Sequence, residues 1–528
     1  MNLHPTGKAA GTLLLCVLPY LASGQDVPVQ RNPIVTHSTP VTTTQALRDM
    51  KEVPWNNVSK VMPEHKRYGA AHIGSGVDAA LQTEKLPDVG TTNLLSFDGI
   101  KDSQGGGFVP PDTNAAVGAT QVVETVNVAY AVYNKATGAQ IMAPKSIATL
   151  YSPLGGQCAT GNLSDPVATY DKAAGVWLIT MIAFNNTFSQ NNACVAVSTT
   201  SDATGTYHLY SFNYGRTLPD YPKLGVWPDA YYLTTDSFPN GGAFTGAETC
   251  ALDRTNMLLG NPATSVCFQR NTADYAMLPA DLDGSTAPPA GAPNYEMDLA
   301  TSTKINLYKF HVDFVVTSNS TFTGPTQLTV PSYTDACATT GACIVQPSPG
   351  EKLDALGDRL MYRLAYRNFG DHEALVVNHS IKGSGTGAAP SAVRWYEVRS
   401  PGSSPVVFQK GTVGGGTTAI SQWMGSIGMD KNGDIALGYS RSGSTLKPSI
   451  AYVGRIPTDV LGKMESAHTI VAGGGVQQSS FNRWGDYSSM QIDPVDDCTF
   501  WYTQEYYKTS GSFNWSTHMA SFKFTTCN

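Results

Sequence analysis

Ser164-Asp165-Pro166-Val167-Ala168-Thr169-Tyr170-Asp171 runs through a short turn into Gly175-Val176-Trp177-Leu178-Ile179-Thr180. This reads as a short strand, a turn built on Asp and Gly, and a second strand carrying an aromatic residue. Asp and Gly suit such turns because one bonds its own backbone and the other tolerates positive φ. The pattern recurs as Tyr221-Pro222-Lys223-Leu224-Gly225-Val226-Trp227-Pro228-Asp229 before Tyr231-Tyr232-Leu233-Thr234. It returns as Gly425-Ser426-Ile427-Gly428-Met429-Asp430 before Asp434-Ile435-Ala436-Leu437-Gly438-Tyr439. A further copy is Gly485-Asp486-Tyr487-Ser488-Ser489-Met490-Gln491-Ile492-Asp493 before Thr499-Phe500-Trp501-Tyr502. Loose self-similarity of this kind marks a repeat architecture.

Six hairpins are read, over residues 112–128, 165–182, 223–235, 359–377, 425–439 and 486–503. Further strands follow most of them, for example Arg394-Trp395-Tyr396-Glu397-Val398 and Met519-Ala520-Ser521-Phe522-Lys523-Phe524. Four strands per unit is the content of a propeller blade. A lone blade cannot bury both faces, whereas blades packed in a ring can. The expected fold is all-β: a β-propeller, six-bladed with seven as the alternative, built of four-stranded antiparallel blades. Two stacked sandwiches are the other architecture weighed. The seventh blade would lie in the long interval after the third hairpin, where Lys304-Ile305-Asn306-Leu307-Tyr308-Lys309-Phe310 alternates like a strand. That segment is assigned instead to outer strands of the third blade. Trp177, Trp227, Tyr232, Tyr439, Trp501 and Tyr502 are expected to wedge between blades, since aromatic rings bury the most area.

The chain has 528 residues, only 14% of them charged, with 51 Gly, 32 Pro and a formal charge of -7. Lys8, the apolar run 9–21 and Ala22-Ser23-Gly24 read as a signal peptide over 1–24, because the run is too short to span a bilayer. Its removal takes Lys8 and moves the charge to -8. Residues 25–95, polar and without sustained periodicity, are read as a partly disordered N-terminal extension, and 96–528 as the propeller domain. An acidic chain without a basic cluster argues against nucleic acid. The expected localisation is secreted, extracellular or periplasmic, as a monomer without a membrane span.

Setting aside Cys16, eight cysteines remain. An even number in a secreted chain suggests disulfides. Proximity proposes Cys158 with Cys194, Cys250 with Cys267, Cys337 with Cys343, and Cys498 with Cys527. Without a Cys-x-x-Cys, no zinc site is expected. Asp371-His372-Glu373 with His379 lacks metal spacing. Asp430, Asn432 and Asp434 alternate as in calcium loops but lack the later ligands, so no cofactor is expected and calcium is the only ion left open.

The turn Asp430-Lys431-Asn432-Gly433-Asp434 followed by a strand resembles secreted bacterial β-propellers of the sialidase and BNR-repeat type. The resemblance implies a propeller over most of 96–528 and a sialidase-like character. Two departures accompany it: the Asp-box pattern Ser-x-Asp-x-Gly-x-Thr-Trp is not matched strictly. The Arg-Ile-Pro that sialidases carry near the start of the catalytic domain stands late here, as Gly454-Arg455-Ile456-Pro457.

Aligning the hairpins on their turns places Asp112, Asp165 and Lys223 at equivalent inner-strand positions. Asp358 or Arg359, Trp423 and Asp486 fall near the matching places, with Trp484 beside the last. Asp112, Asp165 and Asp486 are the candidate catalytic carboxylates, because glycoside cleavage uses two acids in different roles. Lys223, Arg359, Trp423 and Trp484 are the candidate ligand contacts. Each Asp alone could instead cap a strand. Arg359, Arg363 and Arg367 share one strand face, so one is expected to reach the channel while the others pair with Asp354, Asp358 or Asp371. The leading functional expectation is recognition of carbohydrate or a surface polymer at the channel face. The alternative is a glycoside hydrolase or polysaccharide lyase; a structural or adhesive propeller with a plugged channel is the third possibility.

Overall fold

A computed structural model describes residues 1–2, 27–39, 41–62, 65, 71–82, 86–88, 90–384, 390–416, 419–478 and 480–528. Most of the expected signal peptide falls outside them. Among the described residues, no helix is long and apolar enough to cross a membrane.

The chain is all-β. Four-stranded sheets cover residues 114–146 and 420–471, and a third joins 489–524 to the strand Thr91–Lys101. Two five-stranded sheets cover 162–215 and 217–269, each extended at its outer edge by a short N-terminal strand, Thr42–Thr43 or Ile34–His37. The largest sheet holds two antiparallel groups, 278–329 and 361–414. They are joined where Leu278–Asp283 runs parallel to Met361–Asn368. Residues 304–310, expected among the outer strands of the third hairpin, therefore belong to a separate group with its own inner strand.

The first strands of these groups touch in cyclic order. Asn114–Val117 packs on Asn162–Asp171, then follow Thr217–Val226, Leu278–Asp283, Met361–Asn368, Ile420–Met429 and Ser489–Ile492, which returns to Asn114–Val117. Radial packing of this kind is that of a β-propeller rather than of two facing sheets.

Aromatic rings fill the spaces between neighbouring groups. Trp177 is 1% exposed, and it lies so close to Gly118 of the preceding sheet that a Cβ there would fall 2.4 Å from the indole. Trp227 meets Tyr295 and Tyr366 edge-on at 5.9 and 4.7 Å, bridging three groups. Tyr232, Tyr439, Trp501 and Tyr502 are likewise buried.

The four disulfides are Cys158–Cys194, Cys250–Cys267, Cys337–Cys343 and Cys498–Cys527, the pairs expected from proximity. The last closes a span of 29 residues and anchors the chain end to its own sheet. Cross-links of this length restrict the unfolded chain. Replacing Cys498 and Cys527 together with Ser should lower stability by about 2–4 kcal/mol, read as a lower Tm than the oxidised parent and one that reductant no longer shifts at this site.

Candidate active site at the entrance of the inner strands

Five non-glycine residues with left-handed backbone punctuate the inner strands: Asp112 (φ 46°) and Ala276 (φ 47°) just before Asn114–Val117 and Leu278–Asp283, and Asp165 (φ 55°), Tyr221 (φ 53°) and Met424 (φ 53°) inside Asn162–Asp171, Thr217–Val226 and Ile420–Met429. Such conformations cost about 1–3 kcal/mol each and persist where the surroundings impose them, often at functional sites. In the sheets that hold Asp165, Tyr221 and Met424 the ladder register also shifts at this point.

The side chains converge from sheets far apart in sequence. Asp112 Oδ1 accepts from the Asp486 backbone N–H at 2.7 Å, and its Oδ2 accepts from Asn127 Nδ2 at 2.7 Å. Asn127 Oδ1 accepts from the Asp165 N–H at 2.8 Å, so one amide ties both aspartates together. Ser164 donates to Asp165 Oδ1 at 2.5 Å, and Arg483 donates to Asp486 Oδ1 at 2.5 Å. Lys223 Nζ lies 3.4 Å from the centre of the Tyr221 ring and 4.1 Å from that of Tyr487 while donating to the Pro222 carbonyl. Arg359 stands over the other neighbours, 4.6 Å from the Tyr221 ring centre, bonds Tyr275 Oη at 2.6 Å and pairs with Asp358 at 2.9 Å. Exposure does not exceed 8% at Asp112, Asp165, Lys223, Arg359, Arg483 or Asp486.

Burial in such company separates the protonation states. Asp165 is pushed up to about 7, by burial first and then by the Asp220 charge, against the pull of Lys223. Asp112 is raised well above the usual carboxylate range by burial and by the charges of Asp486 and Asp165. Lys223 is brought down to about 8 by burial, which the surrounding aspartates partly offset. Asp165, which burial raises, thus shares one cluster with Asp486, which is paired to Arg483.

Asp112, Asp165, Lys223, Arg359 and Asp486 are thus brought together. Trp423 and Trp484 lie together in the core. They are 0% and 1% exposed, their ring centres 5.7 Å apart, and Trp484 donates to Ser440 Oγ at 3.2 Å. Both indoles serve the core because the inner strands stack them between neighbouring sheets. The three arginines separate. Arg359 takes Asp358, Arg363 bonds Asp281 at 2.8 Å and also pairs with Asp283, and Arg367 grips Asp497 with two bonds at 2.8 Å. For Arg363 the partners come from the parallel neighbouring strand Leu278–Asp283, and for Arg367 from the turn after Ser489–Ile492, rather than from Asp354 or Asp371.

Missed from sequence were Asn127, Arg483, Tyr221, Tyr487 and His65. Tyr221 had a signal, since Tyr221-Pro222 repeats the position of Asp165-Pro166. His65, from the N-terminal segment, places Nδ1 3.4 Å from Asp220 and packs on Phe188 and Phe238. Burial alone would lower His65, but the bond and charge of Asp220 and the charge of Asp165 raise it.

At the calcium-like turn, Asp430 Oδ1 accepts from the N–H groups of Asn432 (2.9 Å) and Asp434 (3.0 Å), and Asp434 accepts from Thr526 Oγ1 at 3.1 Å. These oxygens close a turn. His379 is buried against Tyr396 and His372 stacks on Phe369, so the two histidines serve separate packing roles.

Other buried carboxyls are also raised, Glu124, Asp236 and Glu248 to about 7 and Glu296 to about 8, in each case with burial as the leading cause. A group whose folded value lies above its unfolded value stabilises fully at low pH, and that stability is lost as pH rises through the folded value. His379, driven low by burial, acts in the opposite sense below its ordinary value of 6.5. Between pH 6.5 and 8.5 the carboxyls therefore dominate. Tm should fall over this window by on the order of 5 °C, which differential scanning calorimetry in matched buffers would measure; a flat or rising Tm would contradict the assignment.

No protein-family model matches the chain, and no curated protein does. Among solved structures, it is similar to a Penicillium chrysogenum α-L-arabinanase complexed with arabinobiose, with 10% identity, TM-score 0.38, 83% of this chain and 100% of that one covered. It is also similar to a Trypanosoma rangeli sialidase in complex with the inhibitor DANA, with 11% identity, TM-score 0.32 and coverage of 69% and 55%. A third is 1,3Gal43A, an exo-β-1,3-galactanase from Clostridium thermocellum, with 10% identity, TM-score 0.30 and coverage of 74% and 86%.

Proposed function

We propose that this chain is a seven-bladed propeller that hydrolyses glycosidic bonds at the entrance of its inner strands. One arrangement carries the reading: Asp165 and Asp486, from sheets far apart in sequence, are bridged through Asn127 and Asp112, with Asp486 paired to Arg483 and burial pushing Asp165 up to about 7. Asp165 is the proton donor to the leaving oxygen, and Asp486 acts on the opposite side as base or nucleophile. Asp112 positions the other two, through the Asp486 N–H and through Asn127. Lys223 and Arg359 supply positive charge for an acidic or partly charged sugar. The blade count rests on the cyclic contacts of seven inner strands among the described residues.

Four disulfides fit an oxidising compartment and hence a secreted protein. The test is incubation of the purified protein with neutral and acidic polysaccharides, with released oligosaccharides read by mass spectrometry. Release by the parent that vanishes in Asp165→Asn and Asp486→Asn supports hydrolysis. Retained binding of a polymer without release would favour the recognition reading instead.

A further inference from the structure

At the other end of the inner strands, beyond Met429 and the turn at Phe369, lies a cavity of about 280 Å³ between the sheets 361–414 and 420–471. It is close to the lower bound of about 300 Å³ for small-ligand pockets. Its lining holds two arginines and one acid. Glu397 is the sole acid among its lining residues, and both carboxylate oxygens are engaged: Arg399 Nε reaches Oε1 and Gln409 Nε2 reaches Oε2, each at 2.5 Å. Arg455 also lines the cavity, is 1% exposed, and has no ion pair among the described residues. Its Nη2 bonds the Asp459 carbonyl at 3.0 Å, while its Nε has no hydrogen-bond partner. The Asp459 carboxylate is turned to the Ile456 N–H at 2.9 Å.

Arg455 feels the charges of Asp459, Glu397 and Asp434, yet it makes no ion pair with them among the described residues, so its Nε is left for an anion to complete. The walls supply the rest of a recognition site. The Arg399 guanidinium lies 3.5 Å from the centre of the Phe408 ring, and Phe369 and His372 stack at 4.7 Å. Planar guanidinium groups match a carboxylate, and ring faces match the apolar face of a sugar.

We propose that this cavity binds a uronic acid residue, its carboxylate on Arg455 with Arg399 alongside and its ring against the aromatic wall. The proposal stands apart from the hydrolytic reading, because the cavity shares no residue with the acid cluster.

The experiment is isothermal titration calorimetry of the purified protein with D-galacturonate and, separately, D-galactose. Saturable binding of galacturonate and none of galactose is expected. Arg455→Gln should weaken it at least about tenfold, as loss of a hydrogen bond to a charged group does. If Arg455→Gln fails to fold, Leu461→Trp carries the test, since Leu461 lines the rim and is 52% exposed; it should block binding sterically at unchanged Tm. No saturable binding, equal binding of galactose, or affinity unchanged in Leu461→Trp would overturn the proposal.

Discussion

Asp165→Asn will give a folded protein with kcat reduced by about 10²–10⁴ on any glycoside the parent cleaves, the range that a positioned proton donor contributes. The amide keeps the shape and still accepts from Ser164, but it has no proton to give. The parent's pH profile should carry the same signature. The acid form of Asp165 is the active one, so kcat should fall as pH rises through about 7. Ser164 favours the charged form by donating to Oδ1. Ser164→Ala should therefore move the alkaline limb to higher pH while leaving the fold intact. A profile unchanged by Ser164→Ala would show that Asp165 is not the group whose proton limits the rate. If Asp165→Asn keeps full activity, the acids revert to closing turns.

The largest stability effect is expected at Arg363. Its guanidinium is 1% exposed. It bonds Asp281 at 2.8 Å, pairs with Asp283, and donates to the Met490 carbonyl at 3.3 Å. Asp281 in turn accepts from the Val226 N–H at 3.0 Å. One side chain thus joins inner strands of four groups. Arg363→Met removes the cation and leaves two carboxylates in a dry interior, which costs about 3–5 kcal/mol when a buried pair is broken from one side. Urea unfolding at pH 8 should show that loss. At pH 5 it should be smaller, because a buried carboxyl without its partner can take up a proton. An equal loss at both pH values would point to lost packing rather than to stranded charge.

Arg363 also shows where sequence reading stopped. Its spacing from Arg359 and Arg367 on one strand face was visible, as were the hairpins, because alternation and turn chemistry are local. The partners were not visible, since Asp281 and Asp283 lie about 80 residues earlier on a neighbouring strand that pairs in parallel, a contact that leaves no local pattern. For the same reason the group 278–329 was hard to see. Leu278-Pro279-Ala280-Asp281-Leu282-Asp283 carries Pro and two acids where a buried strand would be apolar, and only the distant arginine explains them. At the acid cluster, Asp112, Asp165 and Asp486 were legible from their turn positions. Asn127, which joins two of them, sits at the far end of its hairpin and had no repeat to mark it. Trp423 and Trp484 followed the repeat but not its outcome, because a large ring at an inner strand can face the core as readily as the mouth.

The strand Thr91–Lys101 completes the sheet whose other members are Ser489–Ile492, Phe500–Tyr507 and Trp515–Phe524. A ribosome therefore delivers one half of this clasp long before the other. Until the C-terminal strand emerges, the early strand has no ladder partner and the first and last sheets cannot meet. Folding of the whole ring is thereby tied to delivery of Trp515–Phe524, and deleting that strand would release both ends of the ring at once rather than fray one.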